Sequence, residues 1–138
     1  MASTLPKITL PKSSSSAPET DNQKILRDAC QNNDKCVCIM DAVFRHDSSW
    51  CTAGVGKKTN NCGNMRPPRT WKPSVEYSIY NSPGNGQFMH FRTMEDGIKA
   101  NVELYQRKYA SYTSATDLVR VWTDGDGAEY KRAVGKCF

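Results

Sequence analysis

Six cysteines in a chain of 138 residues limit the folds open to this protein more than any other feature. The cysteines are Cys30, Cys36, Cys38, Cys51, Cys62 and Cys137. Their even number and loop-rich spacing favour disulfides and an oxidising compartment, although many pairings are open. Zinc is the alternative, with His46 and His90 as additional ligands, but no pair of cysteines or histidines has finger-like spacing. We therefore predict disulfides, with no metal and no other cofactor.

The length suits a single domain, and the composition excludes several classes of protein. The chain is polar, with a mean hydropathy of −0.67. Its four Phe, six Tyr and three Trp are too many for a disordered chain. No apolar run approaches the roughly 18–20 residues of a membrane span, and the N-terminal segment lacks the apolar stretch of a signal peptide. Because the cysteines nevertheless require oxidation, we expect a module of a larger polypeptide or a virion protein, located extracellularly, in the periplasm or on a virion.

The net charge of +5 is concentrated in one segment. No acidic residue lies between Asp47 and Glu76. The basic residues in this gap are Lys57, Lys58, Arg66, Arg69 and Lys72. Such a patch suggests an anionic partner, either nucleic acid or an acidic cell-wall polymer, and a solvated loop is the alternative.

Residues 1–19 are rich in Ser and Pro, which predicts a flexible leader or linker ahead of a domain at 20–138. Thr20 and Gln23 form a capping-box signature, so the first helix begins there. Asn32 and Asn33 are expected to end it.

A second helix is predicted over 34–46, and it carries the carboxylate of greatest interest. Cys36, Met40 and Val43 lie at the i, i+4 and i+7 positions of one helical face. Asp47 continues the same stripe at i+11. The spacing therefore directs the Asp47 carboxylate toward the side that the helix buries.

The remainder of the sequence predicts a long loop, a hairpin and three helices. Gly, Asn and Pro residues indicate a loop over 48–73, and alternation from Val75 onward predicts a hairpin that turns at 82–86. Thr93 is expected to cap a helix with apolar residues at Ile98, Val102, Tyr105 and Tyr109. Thr113 or Ser114 should open another, with a stripe of Leu118, Val121 and Trp122. A turn at 125–127 precedes a last short helix holding Tyr130 and Val134. The predicted fold class is mainly α (α+β), with a cleft in its irregular middle.

The candidate site joins the end of the second helix to the Asn-rich loop. A glycosidase needs a carboxylic acid held protonated near neutral pH, and burial beside apolar groups achieves this. Asp47 meets that condition, with Trp50 close in sequence. The amides of Asn60, Asn61 and Asn64 suit sugar hydroxyls and acetamido groups. The alternative is purely structural, because Asp-Ser-Ser is typical of helix ends and Asn-Asn-x-Gly-Asn of turns.

The segment 42–50, followed by Asn60-Asn61-Cys62-Gly63-Asn64-Met65-Arg66, resembles the lysozyme-like superfamily. Within it, the similarity is to the peptidoglycan lytic transglycosylases and glucosaminidases of phages and bacteria. Their helix ends in an acidic residue followed by Ser, a small residue and Trp, and an N-N-P-G-N-[IL]-R segment follows. Residues 88–100 are similar to the family's F-x-x-F-x-[ST]-x-x-x-G-x-x-A pattern. The resemblance spans roughly residues 34 to 136.

This resemblance implies a lysozyme-like domain that binds peptidoglycan glycan strands, and the disulfides predicted from the cysteines would stabilise it. Its expected activity is bacteriolytic cleavage of the β-1,4 bond between N-acetylmuramic acid and N-acetylglucosamine. Asp47 stands where the family has its catalytic Glu, so it is the expected general acid. The expected substrate-binding residues are Trp50, Asn60, Asn61, Asn64, Arg66, Glu76 and Tyr80.

Two departures from the family pattern bear on these expectations. Asp47 is one methylene shorter than Glu, so the alternative is a glycan-binding or structural protein that has lost its chemistry. The family's Pro is replaced by Cys62, which Cys51 is positioned to reach in a disulfide. A nucleic-acid-binding module is a weaker third interpretation.

Overall fold

The computed structural model describes residues 18–122 and 127–138. In those residues the chain forms six helices and one antiparallel hairpin. They are, in order, α1 (Asp21–Ala29), α2 (Asp34–Ser48), α3 (Gly54–Thr59), β1 (Ser78–Ser82), β2 (Gly86–His90), α4 (Met94–Lys108), α5 (Ala115–Trp122) and α6 (Ala128–Gly135). The predicted mainly helical class with a small hairpin is confirmed. Residues 1–17 of the leader predicted for 1–19, and residues 125 and 126 of the turn predicted at 125–127, lie outside the described residues.

The first two helices begin as the sequence predicts. The Thr20 hydroxyl accepts a hydrogen bond from the Gln23 backbone N–H at 3.1 Å, and the Gln23 side chain accepts one from the Thr20 N–H at 2.9 Å. This is the reciprocal capping box. The first helix ends at Ala29, earlier than expected, and Asn33 instead caps α2 by accepting from the Cys36 N–H at 2.9 Å.

Two apolar cores lie side by side in the described chain. The larger core is formed by residues of α1, α2, α4, α5 and α6, and it buries the predicted positions Ile98, Val102 and Tyr105 of α4. The smaller core lies under the hairpin. Its buried members are Met65, Met89, Phe91 and Ala100.

The prediction of an uninterrupted loop over 48–73 is wrong, because α3 lies within it. Its two glycines disfavour a helix, and no side chain caps it, so local sequence gives no signal for it. The packing explains Gly56: a Cβ there would lie 2.6 Å from the Ser48 Cβ. The absence of a side chain lets α3 approach the end of α2 closely.

The hairpin is shorter than the alternation predicts. Pairing runs from Ser78↔His90 to Ser82↔Gly86, so Val75 lies outside the strand. Val75 and Tyr77 pack against the smaller core instead. Burial, rather than strand pairing, explains the apolar residues that precede β1.

The stripe predicted for α5 is wrong at one position. Val121 is 48% exposed, whereas Val119 is buried. Leu118 is buried as expected. Of the two candidates for opening this helix, Ser114 has the capping contact, because its hydroxyl accepts from the Asp117 N–H at 3.2 Å.

All six cysteines are paired, as Cys30–Cys36, Cys38–Cys137 and Cys51–Cys62. The disulfide prediction is confirmed, including the pairing of Cys51 with Cys62. The zinc alternative is excluded for these thiols, since none is free to ligate a metal. The Cys38–Cys137 bridge joins residues 99 apart in sequence and ties α2 to the segment after α6. No helix in the two described ranges is long and apolar enough to cross a membrane.

Candidate functional site

An open cleft of about 610 Å³ lies where the two cores meet. Its walls are the end of α2, the loop at 63–70, the end of α4, the end of α5 and the start of α6. Four aromatic residues line it: Phe88, Tyr109, Trp122 and Tyr130. Three cationic residues also line it: Arg66, Arg69 and Lys108. Among the lining residues that the structure describes, Asp47 is the only carboxylate.

The Asp47 side chain is 6% exposed, as its place on the helical stripe predicts. Burial raises its pKa from the ordinary value of 3.8 to about 7, because the charged form loses its hydration. The neighbouring His46, whose Nδ1 lies 3.4 Å from the Asp47 Oδ1, opposes this rise. A large fraction of the carboxyl groups therefore carries a proton near neutral pH, which is what a general acid requires.

The backbone directly after Asp47 is strained. Ser49, Trp50 and Cys51 have φ angles of 49°, 57° and 65°, a left-handed run that costs side-chain-bearing residues on the order of 1 kcal/mol each. The Ser48 hydroxyl supports this turn, donating to the Cys62 carbonyl and accepting from the Cys51 N–H, both at 2.8 Å. Together with the Cys51–Cys62 disulfide, these bonds fix the Asn-rich loop beside the end of α2.

Asn64 and Arg66 reach the cleft from that loop. Asn64 donates to the backbone carbonyl of Asp47 at 3.3 Å, and its Oδ1 is buried with no hydrogen-bond partner in the part of the chain that the structure describes. Arg66 donates to the carbonyl of Asn85 at 2.6 Å and stacks 4.2 Å from the centre of the Phe88 ring. Both residues therefore lie at the cleft wall with their orientation fixed by the fold.

The other two asparagines have structural partners. The buried Asn61 donates to the carbonyls of Met65 and Met89, both at 2.9 Å, and its Oδ1 accepts from the Met65 N–H at 2.9 Å. Asn60 donates to the Phe91 carbonyl at 3.0 Å. These amides join the loop to the hairpin and are not among the cleft-lining groups of the described chain.

Three predicted substrate-binding residues lie away from the described cleft wall. The Trp50 indole donates to Asp41 at 2.9 Å and packs edge-on against Phe44. The Glu76 side chain is 95% exposed and lines a separate hollow of about 480 Å³. Tyr80 pairs with Phe88 across the hairpin.

The aromatic wall is the part of the site that sequence reasoning missed. The rings of Tyr109 and Trp122 lie 4.6 Å apart, and Tyr130 lies 4.0 Å from the ring of His46. Helical spacing assigns Tyr109 to the core, but it is only half-buried because it follows the last turn of α4. The one sequence signal for this wall is the aromatic content of the three C-terminal helices.

Within the described ranges, no group of three or more His, Cys, Asp or Glu side chains is arranged to hold a metal ion. Asp47 with the nearby asparagine, the cations and the aromatic faces can donate a proton and bind a polar, ring-containing, anionic ligand. Comparison of the chain with protein-family models, with curated proteins and with solved structures gives no match.

Proposed function

We propose that this protein is a peptidoglycan-cleaving glycosidase, a muramidase or lytic transglycosylase, with Asp47 as its general acid. One observation carries the proposal: the Asp47 carboxyl, 6% exposed, lies in the wall of an open cleft with its pKa raised by burial to about 7. The bond cleaved is the β-1,4 link between N-acetylmuramic acid and N-acetylglucosamine, as the family resemblance implies.

In the proposed reaction, Asp47 gives its proton to the glycosidic oxygen as the bond from that oxygen to the sugar carbon breaks. The sugar is left with positive charge. Inverting and ordinary retaining glycosidases use two carboxylates, but the described cleft wall offers only one. As the family resemblance implies, the substrate's own acetamido oxygen closes on the sugar carbon. Water, or a hydroxyl of the same sugar, then displaces that oxygen and returns a proton to the Asp47 carboxylate.

The remaining cleft residues suit the same substrate. Aromatic faces pack against sugar rings, and Tyr109, Trp122 and Tyr130 present such faces. Arg66, Arg69 and Lys108 bring positive charge toward the carboxylates of peptidoglycan. The three disulfides are compatible with an oxidising location, extracellular, periplasmic or virion-associated, where this polymer is reached.

A non-catalytic protein that binds glycan or builds a particle is the second candidate. The observation in its favour is the shorter acid at position 47, since a misplacement of about 1 Å can cost on the order of 100-fold in rate. Such a protein would keep the cleft and its aromatic wall but not the reaction.

The test is the clearing of turbidity in purified cell walls, followed by mass spectrometry of the released fragments. Asp47→Asn keeps the shape and removes the proton, so we expect a loss of about 10²–10⁴-fold in rate with wall binding intact. Asp47→Glu should retain or raise the rate. Asp28→Asn, an exposed change on α1, is the matched control and should leave the rate unchanged.

Two results would count against catalysis by Asp47. Undiminished clearing by Asp47→Asn contradicts the assignment outright. Wild-type protein that pellets with cell walls without clearing them, while Asp47→Glu clears them, supports the non-catalytic candidate.

A further inference from the structure

His46 lies between two carboxylates that come from different helices. Its Nδ1 is 3.4 Å from Asp47 Oδ1 on α2, and its Nε2 is 3.3 Å from Glu129 Oε1 on α6. The face of the ring lies 4.0 Å from the ring of Tyr130 at an angle of 39°. Both nitrogens and one face of the imidazole are thus engaged.

The Cys38–Cys137 disulfide helps to fix the contact between His46 on α2 and Glu129 on α6. His46 lies about two helical turns after Cys38 on α2, and Glu129 lies about two turns before Cys137. The two helices therefore run antiparallel, with the Cys38–Cys137 disulfide at one end and the His46–Glu129 contact at the other. Because the disulfide sets the alignment of the helices, Glu129 is held opposite His46.

We propose that His46 is a positioning residue that controls the protonation of Asp47, with Glu129 as its counter-ion. The consequence for catalysis rests on the function proposed above, but the effect of His46 on the protonation of Asp47 does not. A charged imidazole beside Asp47 stabilises the carboxylate, and the Glu129 carboxylate lies within 3.3 Å of the other ring nitrogen. The carboxyl of Asp47 is thereby held facing its neighbour, and the pH at which it loses its proton is set by the pair.

Other groups lie beside His46 or in the same cleft wall as Asp47. Tyr130 packs on the ring of His46 from α6, and the cations of the cleft wall come from the loop and from α4. His46 favours the Asp47 carboxylate, whereas burial favours its neutral form. Arg66, Arg69 and Lys108 are the other charged groups that line the described cleft wall. Removal of His46 alone should therefore shift the Asp47 titration upward, since a group that favours the carboxylate is lost.

The experiment follows the Asp47 carboxyl carbon by NMR over pH 4–9. His46→Phe keeps a ring to pack on Tyr130 and removes both nitrogens. It should raise the titration midpoint of Asp47 by on the order of 1 pH unit. Glu129→Gln should move the Asp47 midpoint by less, because Glu129 is 73% exposed and its charge is screened. His90→Gln, on β2 outside the cleft, is the control and should leave the midpoint unchanged.

The alkaline limb of wall clearing should move to higher pH with the NMR midpoint in His46→Phe. An Asp47 midpoint that stays within about 0.2 pH unit of wild type, in both His46→Phe and a folded His46→Gln, would overturn the inference. A shifted midpoint in a protein that clears no walls would support the coupling and reject the proposed reaction. Clearing without any shift would reject the coupling alone.

Discussion

Asp47 obtains its chemical character from a few neighbours at the end of α2. Its own helix turns it inward, Ser48 and the Cys51–Cys62 disulfide fix the loop opposite, and Asn64 binds its backbone carbonyl. The His46 Nδ1 lies 3.4 Å from the Asp47 Oδ1. At this scale the raised pKa is a cost to folding, because the folded protein has to hold a buried carboxyl in its neutral form or accept a poorly hydrated charge.

That cost predicts a pH dependence of stability with a definite sign. Between pH 4 and 7 the folded protein holds a proton on Asp47 that the unfolded chain has released, so the free energy of unfolding falls as pH rises. The decrease attributable to this group approaches roughly 4 kcal/mol and ends above pH 7. Urea unfolding of wild type and Asp47→Asn at several pH values measures it. Parallel curves for the two proteins would contradict the burial of Asp47.

At the scale of helices and strands, the sequence predicts the elements whose signals are local. The capping box at Thr20 and the Thr93 cap each lie within one turn, and the stripe on α2 lies within one helix. The Thr93 hydroxyl accepts from the Asp96 N–H at 3.1 Å. Helix α3 could not be predicted, because its two glycines disfavour a helix and Gly56 serves the contact with α2. Packing also overrode the apolar stripe of α5.

In the candidate site, too, the residues that belong to local motifs were predictable, and those that only helix packing brings together were not. Asp47, Asn64 and Arg66 reach the cleft, and all three come from the motif at the end of α2 and the loop after it. Tyr109, Trp122 and Tyr130 belong to other parts of the C-terminal half and come together only through the packing of the helices. No local pattern contains that information. Trp50 has the side chain expected of a sugar-binding residue, but a hydrogen bond to Asp41 holds it elsewhere.

The packing of α4 on the loop after α3 yields a prediction about two glycines. A methyl group at Gly97 would overlap the backbone carbonyl oxygen of Asn60, which cannot rotate away. We expect Gly97→Ala to lower the free energy of unfolding by about 2–3 kcal/mol. At Gly135 on α6, no atom lies within 4 Å of the position that a methyl group would take, so Gly135→Ala should change stability by less than about 1 kcal/mol. Thermal denaturation measures the stability of both variants. Equal losses of stability in the two would contradict the close packing of Gly97 against Asn60.

Across the whole molecule, the three disulfides differ in what they constrain. Cys30–Cys36 closes a turn between adjacent helices, with a sequence separation of 6. Cys51–Cys62 closes the strained segment beside the cleft, with a separation of 11. Cys38–Cys137 encloses α3, the hairpin, α4, α5 and α6 in one loop. The long bridge thus restricts the unfolded chain far more than either short one.

The lengths of the closed loops predict that removal of the long disulfide lowers the free energy of unfolding more than removal of a short one. Replacing Cys38 and Cys137 with Ala should cost about 4–5 kcal/mol, and replacing Cys30 and Cys36 with Ala about 2 kcal/mol, by the entropy of loop closure. Denaturant unfolding of the two double variants measures the difference. A larger loss for the short bridge would show that the stability comes from local packing of the sulfur atoms and not from the constraint on the unfolded chain.

The long bridge also changes what a protease can do to this protein. Every residue that lines the described cleft lies between Cys38 and Cys137, so the cleft belongs to a covalent ring. A single cut at any peptide bond of that ring opens the chain without releasing a fragment. Asp47 on one side and Tyr130 on the other stay attached through the sulfur bridge. Nicked molecules therefore retain both walls of the cleft, a useful property wherever secreted proteases are abundant.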